Sequence, residues 1–162
     1  MDESSIIRYI AETFAGVDIV RPQPGDEPEI AVGDTFFIYD PQRNQDDHHR
    51  FPFATIVTKD YGDFDCASNL NRPGVFRLNI GVGKETFHSL FGRQPAPPAE
   101  TGVVDTGHDF TVLDQLLPHP VYAPQSWVCV LNPSDATFQE IRPLLAEAYN
   151  LAVSRYTRRE SR

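Results

Sequence analysis

Apolar residues recur along this chain with two different periods, and the switches between them lay out its elements. Near the start, Ile6, Ile7, Ile10 and Phe14 fall at helical spacing. Ser4 or Ser5 can cap that helix and Gly16 can end it. Val17 to Val20 reads as a short strand, stopped by RPQPGDEPE, where three prolines and a glycine preclude regular structure. Thr35 to Asp40 and Phe53 to Lys59 are rich in β-branched and aromatic residues and read as strands. The polar run PQRNQDDHHR between them serves as a long hairpin connection. Val75 to Val82 alternates, with Phe76, Leu78, Ile80 and Val82 on one face and Arg77, Asn79 and Gly81 on the other. The expectation is one core face and one wet face.

The period then changes back. Gly83 to Phe91 predicts a short helix with Phe87, Leu90 and Phe91 inward and Gly92 after its end. RQPAPPAETG is a proline-rich surface loop, and Thr111 to Leu117 reads as one helical turn before Pro118. Trp127 to Leu131 is the last strand, with Trp127, Cys129 and Leu131 on one face and Val128 and Val130 on the other. Ser134 or Asp135 can cap the last helix, whose buried stripe is Phe138, Ile141, Leu145, Ala148, Ala152 and Tyr156. Pro143 interrupts it and marks a kink or the first turn of a restarted helix. The order α-β-β-β-β-α-β-α favours an α+β domain of two layers, an antiparallel sheet of about five strands with helices mainly on one face.

Composition narrows the picture. The 162 residues fit one domain spanning 1–162, with a frayed basic tail over 155–162. Its 11 Phe, 6 Tyr and 1 Trp, with 40% hydrophobic residues, are enough for a core. A formal net charge of −9 repels phosphate backbones and anionic membranes. Nucleic-acid binding is therefore disfavoured and falls to a third reading, through the terminal cluster Arg155, Arg158, Arg159 and Arg162. No apolar run is long enough for a membrane span, the first residues lack the positive region of an export signal, and a cytoplasmic location is expected. Cys66 and Cys129 are too few for a disulfide framework and read as free thiols.

Several clusters could carry chemistry. Arg77 and Asn79 share the polar face of a central strand beside Lys84 at a helix start, a set suited to a carboxylate or phosphate on a small anionic ligand. His119, Tyr122 and Trp127 lie among Pro118, Pro120 and Pro124 and can line a cavity or pin a rigid loop to the core. Asp46, Asp47, His48 and His49 are the densest set of metal-ligand types, although adjacent histidines do not have the i, i+4 spacing of a helical zinc site. Lys59, Asp60, Asp63, Asp65 and Cys66 flank Tyr61 without matching a calcium loop, and Cys66 lacks an adjacent activating partner. NIGVGK is not a phosphate-binding loop, since it lacks both the spacing and the hydroxyl after the lysine. His88 and His108 are isolated, and no catalytic set is evident.

The segments FPFATIVTKDYGDFD, NRPGVFRLNIGVGKETFHSLFG and LPHPVYAPQSWVCVLNP, followed by RPLLAEAYNLAVSR, resemble a bacterial family of uncharacterised proteins that share a domain of unknown function. More distantly, the strand with Trp127, the acidic turn, and the helix with Glu147, Tyr149 and Leu151 are similar to the end of MmcQ/YjbR-like proteins. The second resemblance implies a two-layer domain with an antiparallel sheet, and neither implies a cofactor or a catalytic motif. The leading expectation is a non-catalytic binding or interaction module, with a second copy of the chain docking on the open sheet face. The alternative is an enzyme or binder of a small anion or metabolite, using Arg77, Asn79 and Lys84 with His119 as the acid-base group.

Overall fold

A computed structural model of the chain describes residues 1–46, 49–98 and 102–161. Helix α1 is Glu3–Thr13, and its cap is Asp2 rather than Ser4 or Ser5: the Asp2 carboxylate accepts from the Ser5 N–H at 2.8 Å. An aspartate one turn earlier satisfies an orphan donor and adds a negative charge at the positive helix end. Strands β1 (Val17–Val20), β2 (Thr35–Tyr39), β3 (Ala54–Val57) and β4 (Arg77–Gly81) follow, then helix α2 (Lys84–Phe91). A short strand β5 (Leu116–Pro118) precedes β6 (Trp127–Leu131), and helix α3 is Asp135–Glu160.

The six strands form one open antiparallel sheet in the order β1-β2-β3-β4-β6-β5. Consecutive strands pair as hairpins up to β4, and β6 then inserts between β4 and β5. The sixth strand is β5, where the sequence reading expects a helical turn over 111–117. Leu116, Leu117 and Pro118 pair with Val130, Cys129 and Val128 at the sheet edge. Pro118 is tolerated there because an edge strand need not donate on its outer side.

All three helices pack on one face. Ile6 and Ile10, Phe87, and Phe138, Ile141, Leu145 and Ala148 form one core with Phe37, Ile56, Leu78, Ile80, Val128 and Val130. The buried residues of α3 are the expected stripe of Phe138, Ile141, Leu145, Ala148, Ala152 and Tyr156, and Ser134 accepts from Thr137 N–H as its cap. Pro143 does not restart the helix, which is continuous from Asp135 to Glu160 and so includes most of the expected tail. Leu90 is turned outward, not inward, at 41% exposure, because α2 meets the core through Phe87.

The opposite sheet face is not wet. Arg77 is fully buried and Asn79 is 3% exposed. Residues between β3 and β4 and around β5 fold over that face, placing Leu70 and Leu117 against Val57, Cys129 and Leu131 in a second, smaller core. The face offered to a second copy of the chain therefore carries the chain's own loops. The long β2–β3 connection is tied back by ions: Arg50 contacts Asp40 at 2.6 Å and Asp18 at 2.8 Å. Among the described residues no helix is long and apolar enough to cross a membrane.

Candidate functional site

Alternation along β4 sends Arg77 and Asn79 to the side away from the helices, and burial there forces each polar group to find a partner. Arg77 meets this demand with a fork of hydrogen bonds. Nε donates to Asn79 Oδ1 at 2.7 Å, and Nη1 donates to Asp65 Oδ1 at 3.0 Å and Ser68 Oγ at 2.8 Å. Nη2 donates to Asp65 Oδ2 at 2.5 Å, completing a bidentate pair, and lies 3.2 Å from His119 Nε2. Asn79 in turn donates to Thr55 Oγ1 across the sheet at 2.9 Å. Burial opposes the charge on Arg77, but the hydrogen bonds and field of Asp65 raise its pKa above the ordinary value, so the guanidinium stays charged.

His119 sits at the turn after β5. Its Nδ1 accepts from two backbone donors, Val121 N at 3.0 Å and Tyr122 N at 2.9 Å. Burial first, and then the Arg77 cation, hold the imidazole pKa well below its ordinary 6.5, so the ring is neutral. Cys129, on the same face, is fully buried, and burial pushes its thiol up to about 12, which keeps it protonated and non-nucleophilic.

Arg77, Asn79, Asp65, Thr55 and His119 form the buried end of a cleft of about 650 Å³. Its walls are aromatic: Phe36, Phe51, Phe64, Tyr122 and Trp127 line it, with Arg155 among the lining residues. Phe64 and Tyr122 meet edge to face at 6.1 Å, and Tyr122 is tilted against His119 at 5.0 Å. The indole lies over the backbone of Gly81, its cross-strand partner, where a Cβ would come within 2.9 Å of Trp127 Cε2. This explains the first glycine of NIGVGK: it makes room for an aromatic plane.

The structure thus brings Arg77, Asn79, His119, Tyr122 and Trp127 to one cleft and leaves Lys84 out. Lys84 faces a different depression, with His88, Gln94 and Ser126. The α2 amino end is already occupied, because the Glu147 carboxylate accepts from Gly83 N–H at 2.7 Å and Thr86 Oγ1 at 2.5 Å. An external phosphate there would meet the Glu147 carboxylate, which already sits at the positive helix end.

The other clusters disperse. Asp47 and His48 lie outside the described residues, and of that group His49 Nδ1 contacts Asp46 Oδ1 at 2.8 Å. Around Tyr61 the acids turn to separate partners: Asp65 to Arg77, and Asp60 to the Leu70 N–H at 2.8 Å. Tyr61 itself donates to buried Asp34, which also receives Thr58 and Lys59, and its pKa is raised by burial and then by Asp34. Cys66 is exposed. Among the described residues no group of three or more His, Cys, Asp or Glu could hold a metal ion. Arg159 donates to Gln45 at 2.9 Å, and Arg162 lies outside the described residues.

Sequence reasoning missed Asp65 and Ser68 as partners of Arg77, and Phe36, Phe51 and Phe64 as walls. Only the alternation of β2, which puts Phe36 opposite Phe37, carried a signal for any of them. No curated protein and no solved structure matches the chain. The family comparison does match, over residues 1–161, and the chain belongs to the family of unknown function DUF6194.

Proposed function

We propose that this protein is a non-catalytic binding module that takes a small, largely apolar molecule into the cleft between the sheet and its loop layer. The observation that carries the reading is the combination of aromatic walls with a few polar groups at the buried end, in a volume of about 650 Å³. Ligand sites have this character: apolar surface supplies affinity and a few placed polar groups fix orientation. A sheet with helices on one face is in keeping with the resemblance to MmcQ/YjbR-like proteins, which supplies no activity.

The enzymatic alternative is weaker on chemical grounds. A general base needs a free lone pair, and the Nδ1 of His119 is taken by two backbone N–H groups. Burial of the Cys129 thiol outweighs the nearby Arg77 cation and keeps it protonated. Arg77 spends four of its five N–H groups inside the protein. Arg77 and His119 build the end of a pocket more readily than they run a reaction.

Trp127 is the only tryptophan in the chain and lies in the cleft wall, so its emission reports occupancy directly. Titration with a panel of aromatic molecules of about ten to twenty heavy atoms, within the volume typical of such sites, is expected to shift or quench that emission and to raise the melting temperature together. A panel that leaves Trp127 emission unchanged at millimolar concentration, or whose effects persist in Gly81→Ala, refutes the reading.

A further inference from the structure

The hydrogen bonds around His119 fix its tautomer, and the tautomer says what the ligand must present. Two backbone N–H groups point at Nδ1, so that nitrogen is an acceptor and carries no proton. A neutral imidazole has one N–H, which therefore sits on Nε2. Yet Nε2 faces Arg77 Nη2 at 3.2 Å, and a guanidinium nitrogen can only donate. Two donors confront one another with no acceptor between them. The other four N–H groups of Arg77 have acceptors, so the fifth, on Nη2, is the one left over. Both residues are buried, at 0% and 2% exposure, and both line the cleft. A buried donor without an acceptor is costly, and an unmet pair of them marks the place where an acceptor belongs.

We propose that the cleft recognises a carboxylate on an apolar or aromatic body, its two oxygens accepting from His119 Nε2–H and Arg77 Nη2–H and its body lying against Trp127 and Tyr122. This rests on the binding-module reading above and adds the chemical class of the ligand. Two convergent donors suit the two oxygens of a carboxylate, whereas a phosphate would bring a third oxygen and a second charge to the buried end, where Arg77 and His119 have no further N–H to give. Arg155, which lines the same cleft and has no ion pair among the described residues, supplies a cation that favours an anionic ligand. Asp65 is the opposing charge in the cleft, and Arg77, which contacts both its oxygens, offsets it. The polar tips of Tyr122 and Trp127 have no hydrogen-bond partner among the described residues and remain available to a substituent on the body.

The test has two readings. Long-range ¹H–¹⁵N correlation of the histidine rings, with His119 assigned by its disappearance in His119→Asn, is expected to show the Nε2–H tautomer in the free protein; an Nδ1–H ring overturns the proposal. The second is a Trp127 titration with 3-phenylpropionate and 1-naphthylacetate, each against its own amide and alcohol. The carboxylates are expected to bind about tenfold more tightly or better, the worth of a charged hydrogen bond. His119→Asn should erase that preference while leaving amide affinity in place, because asparagine Oδ1 replaces the Nδ1 acceptor but brings no donor to the Nε2 position. His119→Gln, whose amide nitrogen reaches that position, should retain it. If amides or alcohols bind as well as the acids, the carboxylate assignment is wrong and the binding module stands. If no compound of any kind perturbs Trp127, the binding module itself fails.

Discussion

Gly81 and Trp127 face each other across β4 and β6, and each is legible only through the other. A strand glycine loses stability to backbone entropy, but here the missing Cβ lets an indole lie flat on the sheet. A methyl group at Gly81 would stand 2.9 Å from Cε2 and 3.0 Å from Cζ2 of that ring. Gly81→Ala is therefore expected to displace the indole toward the cleft, shift Trp127 emission and cost about 1–3 kcal/mol of stability, as over-packing does. Wild-type emission in a stably folded variant contradicts the packing. His119 and Cys129 set a pH window at the same scale. The folded imidazole pKa lies below its unfolded 6.5, so its contribution is intact above that value and is lost as pH falls, by up to about 1.4 kcal/mol per unit. The folded thiol pKa is raised from 9.0 to about 12, so its contribution is intact below 9.0 and is lost as pH rises toward 12. Denaturant midpoints across pH 4–11 should fall on both sides, and His119→Asn should flatten the acid limb alone.

Among the elements, α3 is the clearest case of pattern overriding propensity. A proline eight residues past the helix start removes a backbone hydrogen bond and crowds the preceding turn, at a cost of about 3 kcal/mol in a helix interior. The helix nevertheless continues for 26 residues. The stripe from Phe138 to Tyr156 on the sheet is what holds it. Pro143 is on the exposed side, where its ring packs into no core. Pro143→Ala should raise the melting temperature, stabilising by up to about 3 kcal/mol; an unchanged or lower value would mean that the ring has a structural use. The short strand β5 shows the opposite failure. Three residues of LLP carry too little periodicity to be told from a helical turn, and the pairing with β6 supplies the backbone partners that decide the matter.

At the level of the whole molecule, the sheet separates two unequal interiors. The helical side is a conventional apolar core. The loop side combines a small apolar cluster with a buried ion pair, and Arg77 is the post to which the covering loop is tied. Removing one partner of a buried pair strands the other charge, which costs about 3–5 kcal/mol. Arg77→Met should lose about that much in chemical denaturation and loosen the loop bearing Asp65 and Ser68, visible as faster hydrogen exchange there than in α1 or α3. Arg77→Met with Asp65→Leu should regain much of the loss; a double variant no better than the single would place the stability elsewhere.

The elements and faces of this protein follow from short-range order. Period-two alternation in β4 and β6 assigned Arg77 and Trp127 to the side away from Leu78 and Val128, and a 3.6-residue stripe marked the buried residues of α3. Such patterns are local, so they survive without knowledge of what lies opposite. What lies opposite is a different matter. Asp65 and Ser68 come to Arg77 from 12 and 9 residues earlier in the chain, and His119 from 42 residues later. Which of several nearby acids turns inward, and that an arginine on a polar face is buried at all, depends on how two loops close over the sheet. The same closure sets the proton of His119 on Nε2, because the tautomer is fixed by donors that only the folded turn aims at Nδ1.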